Sequence, residues 1–397
     1  MSTEKLRAWW SHRQGLDGRL ASADAKTVIE EVGWARSVAG VGPYFTLFSR
    51  AGIRPKQADA AVLRLEIHEL PAARGCTYVL PAEDFALGLA AGASFRSAEI
   101  RVAEKLGVTY EEIDLLCDAV VTALGNQVLS PDEIRSLTGS SSRSLGEEGK
   151  KKGLTTTLPI ALGKLQAEGR IRRVPIDGRL DQQRYKYTNW VPNPRAGLKL
   201  TDTEIQIELA KRFFSWTGPA TLAEFVWFSG LSNGVAKKAL TAIDLVELPD
   251  LPGRLLLKSH VEAWTEFVTP GEPDYRLVSS LDSISLLRRD LRSLLSDGDE
   301  ELPVFYGKDF QKLGGLADLP NHAIMDRGRL VGLWEYDTFK QSIAWTAFVP
   351  SSEALVKAIE TTETMIREDL GDARSFSLDS PKSRIPAVEA LRQAQPD

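Results

Sequence analysis

The chain has 397 residues, 43% of them hydrophobic, with 49 Lys or Arg against 54 Asp or Glu, for a formal charge of −5. That length supports a large buried core divided over two to four units, and the mild acidity excludes a wholly basic DNA coat. Two cysteines, Cys76 and Cys117, have no metal-type spacing and cannot form a disulfide framework, which fits a reducing compartment. The start, MSTEKLRAWW, has no continuous apolar stretch, so it reads as neither a secretory signal nor an anchor, and a cytoplasmic location is expected.

In chain order, ADAKTVIEEV (Ala23 to Val32) reads as a helix, followed by the small-residue loop GWARSVAGVGP and an apolar run of ambiguous period from Tyr44. A helix over Gln57 to Leu65 precedes CTYVLP, whose β-branched and aromatic residues predict a strand. Further helices are expected over Pro81 to Gly92, Ser94 to Leu106 and Tyr110 to Leu124. LSPDEIRSLTG has a Ser cap, a Pro at the first helical position and a terminal Gly, the marks of a short complete helix. After SSSRSLGEEGKKKG come a helix ending at Gly169, a strand, a turn at Asp177-Gly178 and a returning strand.

The order of helices and a strand pair returns between Leu200 and Lys258, which suggests three divergent copies of one unit. Beyond Asp274, LLRRDLRSLL reads as helical, and HAIMDRGRLVGLWEYDTFKQSIAWTAFVP reads as three strands joined by tight turns, predicting a small barrel or sheet. Ser351 to Leu370 forms an amphipathic helix, and the polar residues after Gly371 predict a flexible tail. The fold class expected is α+β: winged-helix units over 1–125, 126–198 and 199–272, a β-barrel with a helix over 273–370, and a tail over 371–397.

Phosphate-cradling glycine motifs and HExxH are absent, and four scattered histidines, His12, His68, His260 and His322, predict no metal site. No cofactor is expected either. Between Arg135 and Lys186 twelve Lys or Arg stand against five Asp or Glu, the one strongly basic stretch. Its wing residues Arg170, Arg172, Arg173 and Lys186, with Arg143, the run Lys150, Lys151 and Lys152, and the helix start at Thr155 and Thr156, form the expected contact with duplex DNA. The aromatic runs Trp9-Trp10, FFSW and FVWF sit at helical spacing and are read as core.

Several segments together resemble the winged-helix DNA glycosylases of the YcaQ/AlkZ type. GWARSVAGVGPYFTLFSRAG is similar to their catalytic loop and the apolar run after it. ELPAARGCTYVLPAEDF resembles their R-G-T-x-H-x-V-P wing, matched at Arg74, Gly75, Cys76, Tyr78, Val79 and Pro81. WTGPATLAEFVWFSGL, LVSSLDSISLLRRDLRSLL and RGRLVGLWEYD resemble later segments in the same order. The resemblance implies three winged helices and a barrel around a concave DNA surface. It also implies a monomeric, cofactor-free enzyme that hydrolyses the N-glycosidic bond of alkylated purines, bulky adducts or crosslinks. In that frame Arg36, Ser37, Val38 and Ala39 occupy the catalytic loop, with Ser37 the water-positioning hydroxyl, while Arg50 and Arg74 join Arg36 in holding phosphates. The loop lacks the family's Gln or Asp residues, and Tyr78 stands where the wing histidine would be. A catalytically silent winged-helix DNA-binding protein is therefore the alternative expectation.

Overall fold

The structure, a computed structural model, describes residues 3–182 and 184–394, leaving aside the side chains of residues 96–99. Helix Thr3–Arg13 places Trp9 and Trp10 at 1% and 0% exposure, so the first helix of the chain is already part of the core. Helix Ala25–Val32 starts where the Asp24 carboxylate accepts the Thr27 N–H, and it ends at Gly33, whose φ of 99° a side chain rarely adopts. A short strand β1 (Ala35–Arg36) follows, then helices Gly42–Ala51 and Pro55–Leu63, and strands β2 (Ile67–Pro71) and β3 (Thr77–Pro81). These strands form an antiparallel sheet in the order β1-β3-β2, with Arg36 opposite Tyr78.

Helices Phe85–Ala93, Ser97–Glu104 and Tyr110–Leu124 lead to the second unit. It contains helices Pro131–Thr138, Gly146–Lys151 and Leu158–Ala167, then the hairpin β4 (Ile171–Pro175) and β5 (Tyr185–Asn189). Ser130 and Glu133 close the first of these helices with a reciprocal capping box. Gly178 has a left-handed φ of 72° and its N–H donates to the Pro175 carbonyl at 3.2 Å, so the expected turn is there, but the strands close only at Pro175 and Tyr185 and the turn opens a longer loop. The third unit repeats three helices, Asp202–Thr217, Leu222–Ser229 and Asn233–Leu240, and the pair β6 (Leu245–Glu247) and β7 (Leu255–Leu257).

The C-terminal part differs from the expected barrel. After β8 (Tyr275–Val278) and the small pair β9 (Pro303–Tyr306) and β10 (Asp309–Lys312), strands β11 (His322–Asp326), β12 (Arg329–Asp337) and β13 (Ser342–Ala347) complete a four-stranded antiparallel sheet. Its order is β13-β12-β11-β8, and its outer strands do not pair, so the sheet stays open. Helices Glu353–Met365 and Pro381–Gln393 pack on it and bury the faces that closure would have buried. The stretch LLRRDLRSLL is not one helix: a turn of helix ends at Leu286, Arg289 takes a φ of 52°, and a 3₁₀ turn covers Leu291–Leu294.

The described residues after Gly371, up to Ala394, are folded onto the sheet and include helix Pro381–Gln393, contrary to the expected flexible tail. Val388 and Leu391 join the core of the C-terminal sheet, while Arg384 pairs with Asp372 and Arg392 with Asp337. A polar helix of this kind is held by one narrow apolar stripe, which composition alone does not show. Elsewhere the aromatic runs are core as read, apart from half-buried Trp227: Phe213, Phe214, Trp216, Phe225 and Phe228 share one cluster with Trp34 and Tyr78, joining the first unit to the third. No helix among the described residues is long and apolar enough to cross a membrane.

Candidate active site and DNA-facing surface

The loop after Gly33 is fixed at both ends. The Trp34 indole N–H donates to the Asp84 carboxylate at 2.8 Å, and its ring lies among Trp216, Tyr78 and Phe228. Pairing of β1 with β3 continues one residue further, where the Ser37 N–H donates to the Thr77 carbonyl at 3.1 Å. At the far end the Val41 N–H donates to the Arg374 carbonyl at 3.0 Å. A Cβ on Gly40 would lie 2.0 Å from the Ser375 carbonyl oxygen, so only glycine lets the C-terminal strand of chain cross the loop there. Ala39 completes the turn with a φ of 57°, unusual for a residue with a side chain.

This extended backbone alternates its side chains, as a strand requires. Arg36 and Val38 are half-buried and line a cavity of about 350 Å³, whereas Ser37 is 1% exposed and does not line it. The Ser37 hydroxyl has no hydrogen-bond partner and is sealed from solvent. Expected as a water-positioning group, it instead points away from the cavity, because the register with Thr77 fixes its direction. Ala39 is 2% exposed and adds only its backbone to the turn. Arg36 donates to the Thr77 carbonyl at 2.6 Å and lies over the Tyr78 ring at 5.3 Å. Tyr78 is itself buried, and burial pushes its phenol up to about 12, so it is a packing partner of Trp34 and no surface contact.

The cavity is completed by Trp227, by Ser280 to Leu291 of the segment after β8, and by Tyr306, Asp318 and Phe376, the last three from stretches that carry no sequence motif. Arg74, expected at phosphates, packs its guanidinium 3.6 Å from the Trp227 ring and donates to the Trp227 carbonyl. Arg289 packs on the same indole at 3.9 Å and gives two 3.1 Å hydrogen bonds to Asp318. Sequence reasoning missed these residues: Trp227 sits inside an aromatic run that reads as core, and Asp318 stands in GGLADLP with no spacing to announce it. A larger cavity, about 690 Å³ between Phe48 to Gly52 and Asp274 to Leu277, contains no residue of the loop, so size alone does not mark the site.

Arg50 is the clearest correction. Its side chain is fully buried, clamping Asp282 through hydrogen bonds of 2.7 and 2.8 Å and donating to the Gln14 carbonyl at 2.8 Å, so it cannot reach a phosphate. It ties the first unit to the segment that follows β8.

The basic stretch is more neutralised than its composition suggests. Arg143 pairs with Glu112, Lys150 with Glu147, Lys151 with Glu148, and Arg170 with Asp118. Arg173 stacks on Tyr185 at 4.8 Å and lies 3.6 Å from buried Glu69, so the wing leans on the first sheet. Arg172 is half-buried, and burial lowers its pKa. Among the described residues, Lys152, Arg184 and Lys186 have no carboxylate within ion-pair distance. Thr155, Thr156, Arg135 and Arg173 line a second cavity of about 550 Å³ at the start of helix Leu158–Ala167.

The cavity is walled by the loop after Gly33, by helix Leu222–Ser229 and by segments that follow β8. The fold is similar to that of the Streptomyces sahachiroi DNA glycosylase AlkZ, with a TM-score of 0.68 and 20% identity over 94% of this chain and 98% of that one. The chain belongs to the AlkZ-like DNA glycosylase family, whose model, "DNA glycosylase AlkZ-like", matches residues 40–375. The matched span opens at Gly40, immediately after Ser37, Val38 and Ala39. No curated protein matches the chain significantly.

Proposed function

We propose that this protein is a monofunctional DNA glycosylase that binds duplex DNA through three winged-helix units and hydrolyses the N-glycosidic bond of alkylated purines. The observation that carries this reading is the cavity that Arg36 and Val38 of the loop share with Trp227 and Asp318. Its volume falls in the range of small-molecule sites, and its aromatic walls suit a flat base. Each three-helix-and-strand-pair unit is read as a winged helix, and Lys152, Arg184 and Lys186 as the cations free to displace counterions from phosphates.

An N7-alkylguanine is already cationic, so the base leaves with the bonding electron pair as a neutral molecule and no strong general acid is needed. The protein has to hold the nucleotide, stabilise the positive sugar and admit one water. Incubating the protein with duplexes carrying a single N7-methylguanine and counting abasic sites tests the reading. Base release above the spontaneous rate supports it, and duplex binding without release from any cationic adduct replaces it with a silent DNA-binding protein.

A further inference from the structure

With Ser37 turned inward, the loop offers the cavity Arg36 and Val38, neither of which favours positive charge or accepts a proton. We infer that Asp318, which lines the same cavity, is the catalytic carboxylate: it faces the developing positive charge of the sugar and takes the proton of the attacking water. This rests on the glycosylase reading and names the group that reading otherwise lacks.

Asp318 is the one acidic side chain among the described residues lining the cavity. The two serine hydroxyls of the cavity wall are engaged, Ser280 with Ser375 at 2.7 Å and Ser285 with the Asp282 carbonyl at 3.1 Å. The Asp318 side chain keeps 46% of its surface exposed, so a bound nucleotide can reach it. Its direction is held by the two parallel bonds from Arg289, whose guanidinium in turn rests on Trp227. Arg289 adopts a left-handed backbone to do so, the kind of local cost that persists where a side chain must be aimed. Arg289 and Trp227 are thus positioning residues.

The step balances without a cofactor. The C1′–N9 bond of the cationic nucleotide breaks, its electron pair neutralising the departing base. The water oxygen forms a bond to C1′, and the released proton passes to the Asp318 carboxylate and then to solvent. A fixed negative charge beside the oxocarbenium-like sugar acts on the transition state more than on the ground state.

The test uses the full chain and two duplexes, one with a protonated pyrrolidine abasic analogue and one with a neutral tetrahydrofuran abasic site. The unsubstituted protein is expected to bind the cationic duplex about tenfold more tightly, and Asp318→Asn to lower that preference below about twofold. Arg289→Gln breaks the same ion pair but keeps the carboxylate, so it retains most of the preference; a merely structural role would make the two variants alike. In single turnover on N7-methylguanine, Asp318→Asn is expected to slow base release about 100-fold with duplex affinity within about threefold. Base release by Asp318→Asn at the unsubstituted rate overturns the proposal and leaves the glycosylase reading standing. Absence of release by the unsubstituted protein removes that reading, and the charge preference of the two variants still decides whether Asp318 faces a cation.

Discussion

Replacing Arg50 with alanine is expected to unfold the protein more readily without a direct effect on DNA. The guanidinium and the Asp282 carboxylate are both fully inaccessible, joined by hydrogen bonds of 2.7 and 2.8 Å. Truncating one partner leaves a buried, uncompensated charge, which costs about 3–5 kcal/mol. Asp282 still receives the Ile284 N–H at 3.1 Å, which relieves part of that cost and favours the lower end. Urea unfolding reads the change as a lower midpoint at unchanged slope. The double variant Arg50→Met with Asp282→Asn removes both charges and is expected to lose less than the sum of the single changes, because the two residues are in direct contact. Duplex affinity, measured by fluorescence anisotropy where each variant is folded, is expected to stay within about threefold, since no buried cation releases counterions. A stability loss under about 1 kcal/mol combined with a clear loss of DNA affinity would refute the clamp and restore Arg50 to the phosphates.

Gly40→Ala drives a Cβ to within 2.0 Å of the Ser375 carbonyl, so the crossing chain must move; a loss of about 1–3 kcal/mol is expected, with faster proteolysis between residues 372 and 380. Burial pushes the Glu335 carboxyl up to about 7, against the attraction of Arg384. A raised acid pKa means stability present below the unfolded value near 4.5 and lost as pH rises through about 7. Glu335→Gln is therefore expected to flatten that fall and to be the more stable protein at pH 8, by at most roughly 3 kcal/mol in thermal or urea unfolding; an unchanged pH profile would remove Glu335 from the account. Replacing Lys152 and Lys186 together with alanine is expected to weaken binding equally for unrelated duplexes and to lower the salt slope by about two, as two lost phosphate contacts require.

Local signals carried much of the fold. Tight turns at Asp326 to Arg329 and Asp337 to Ser342 delimit β11, β12 and β13, and Ser130, Thr201 and Thr221 open helices through capping boxes readable as Ser or Thr followed by Glu. Whether the C-terminal sheet closes was not legible, because closure depends on which helices cover its faces and not on strand composition. The loop was found by resemblance, yet the direction of Ser37 depends on which Thr77 group its backbone meets, a register set 40 residues away in sequence. Arg50 reads like any cation beside an apolar run until Asp282 arrives from 232 positions further on. Asp318 and Trp227 belong to the site only through tertiary contact, and the helix Pro381–Gln393 hides a buried stripe of Arg384, Val388 and Leu391 inside a polar composition.

Filling the cavity tests most directly whether it is where the reacting nucleotide sits. Val38 lines it from the loop, so Val38→Trp places an indole in a space of about 350 Å³ without entering the core. The account predicts that this variant keeps its unfolding midpoint and its affinity for undamaged duplex while base release from N7-methylguanine in single turnover falls at least about 100-fold. Base release by Val38→Trp at the rate of the unsubstituted protein would contradict the placement of the active site.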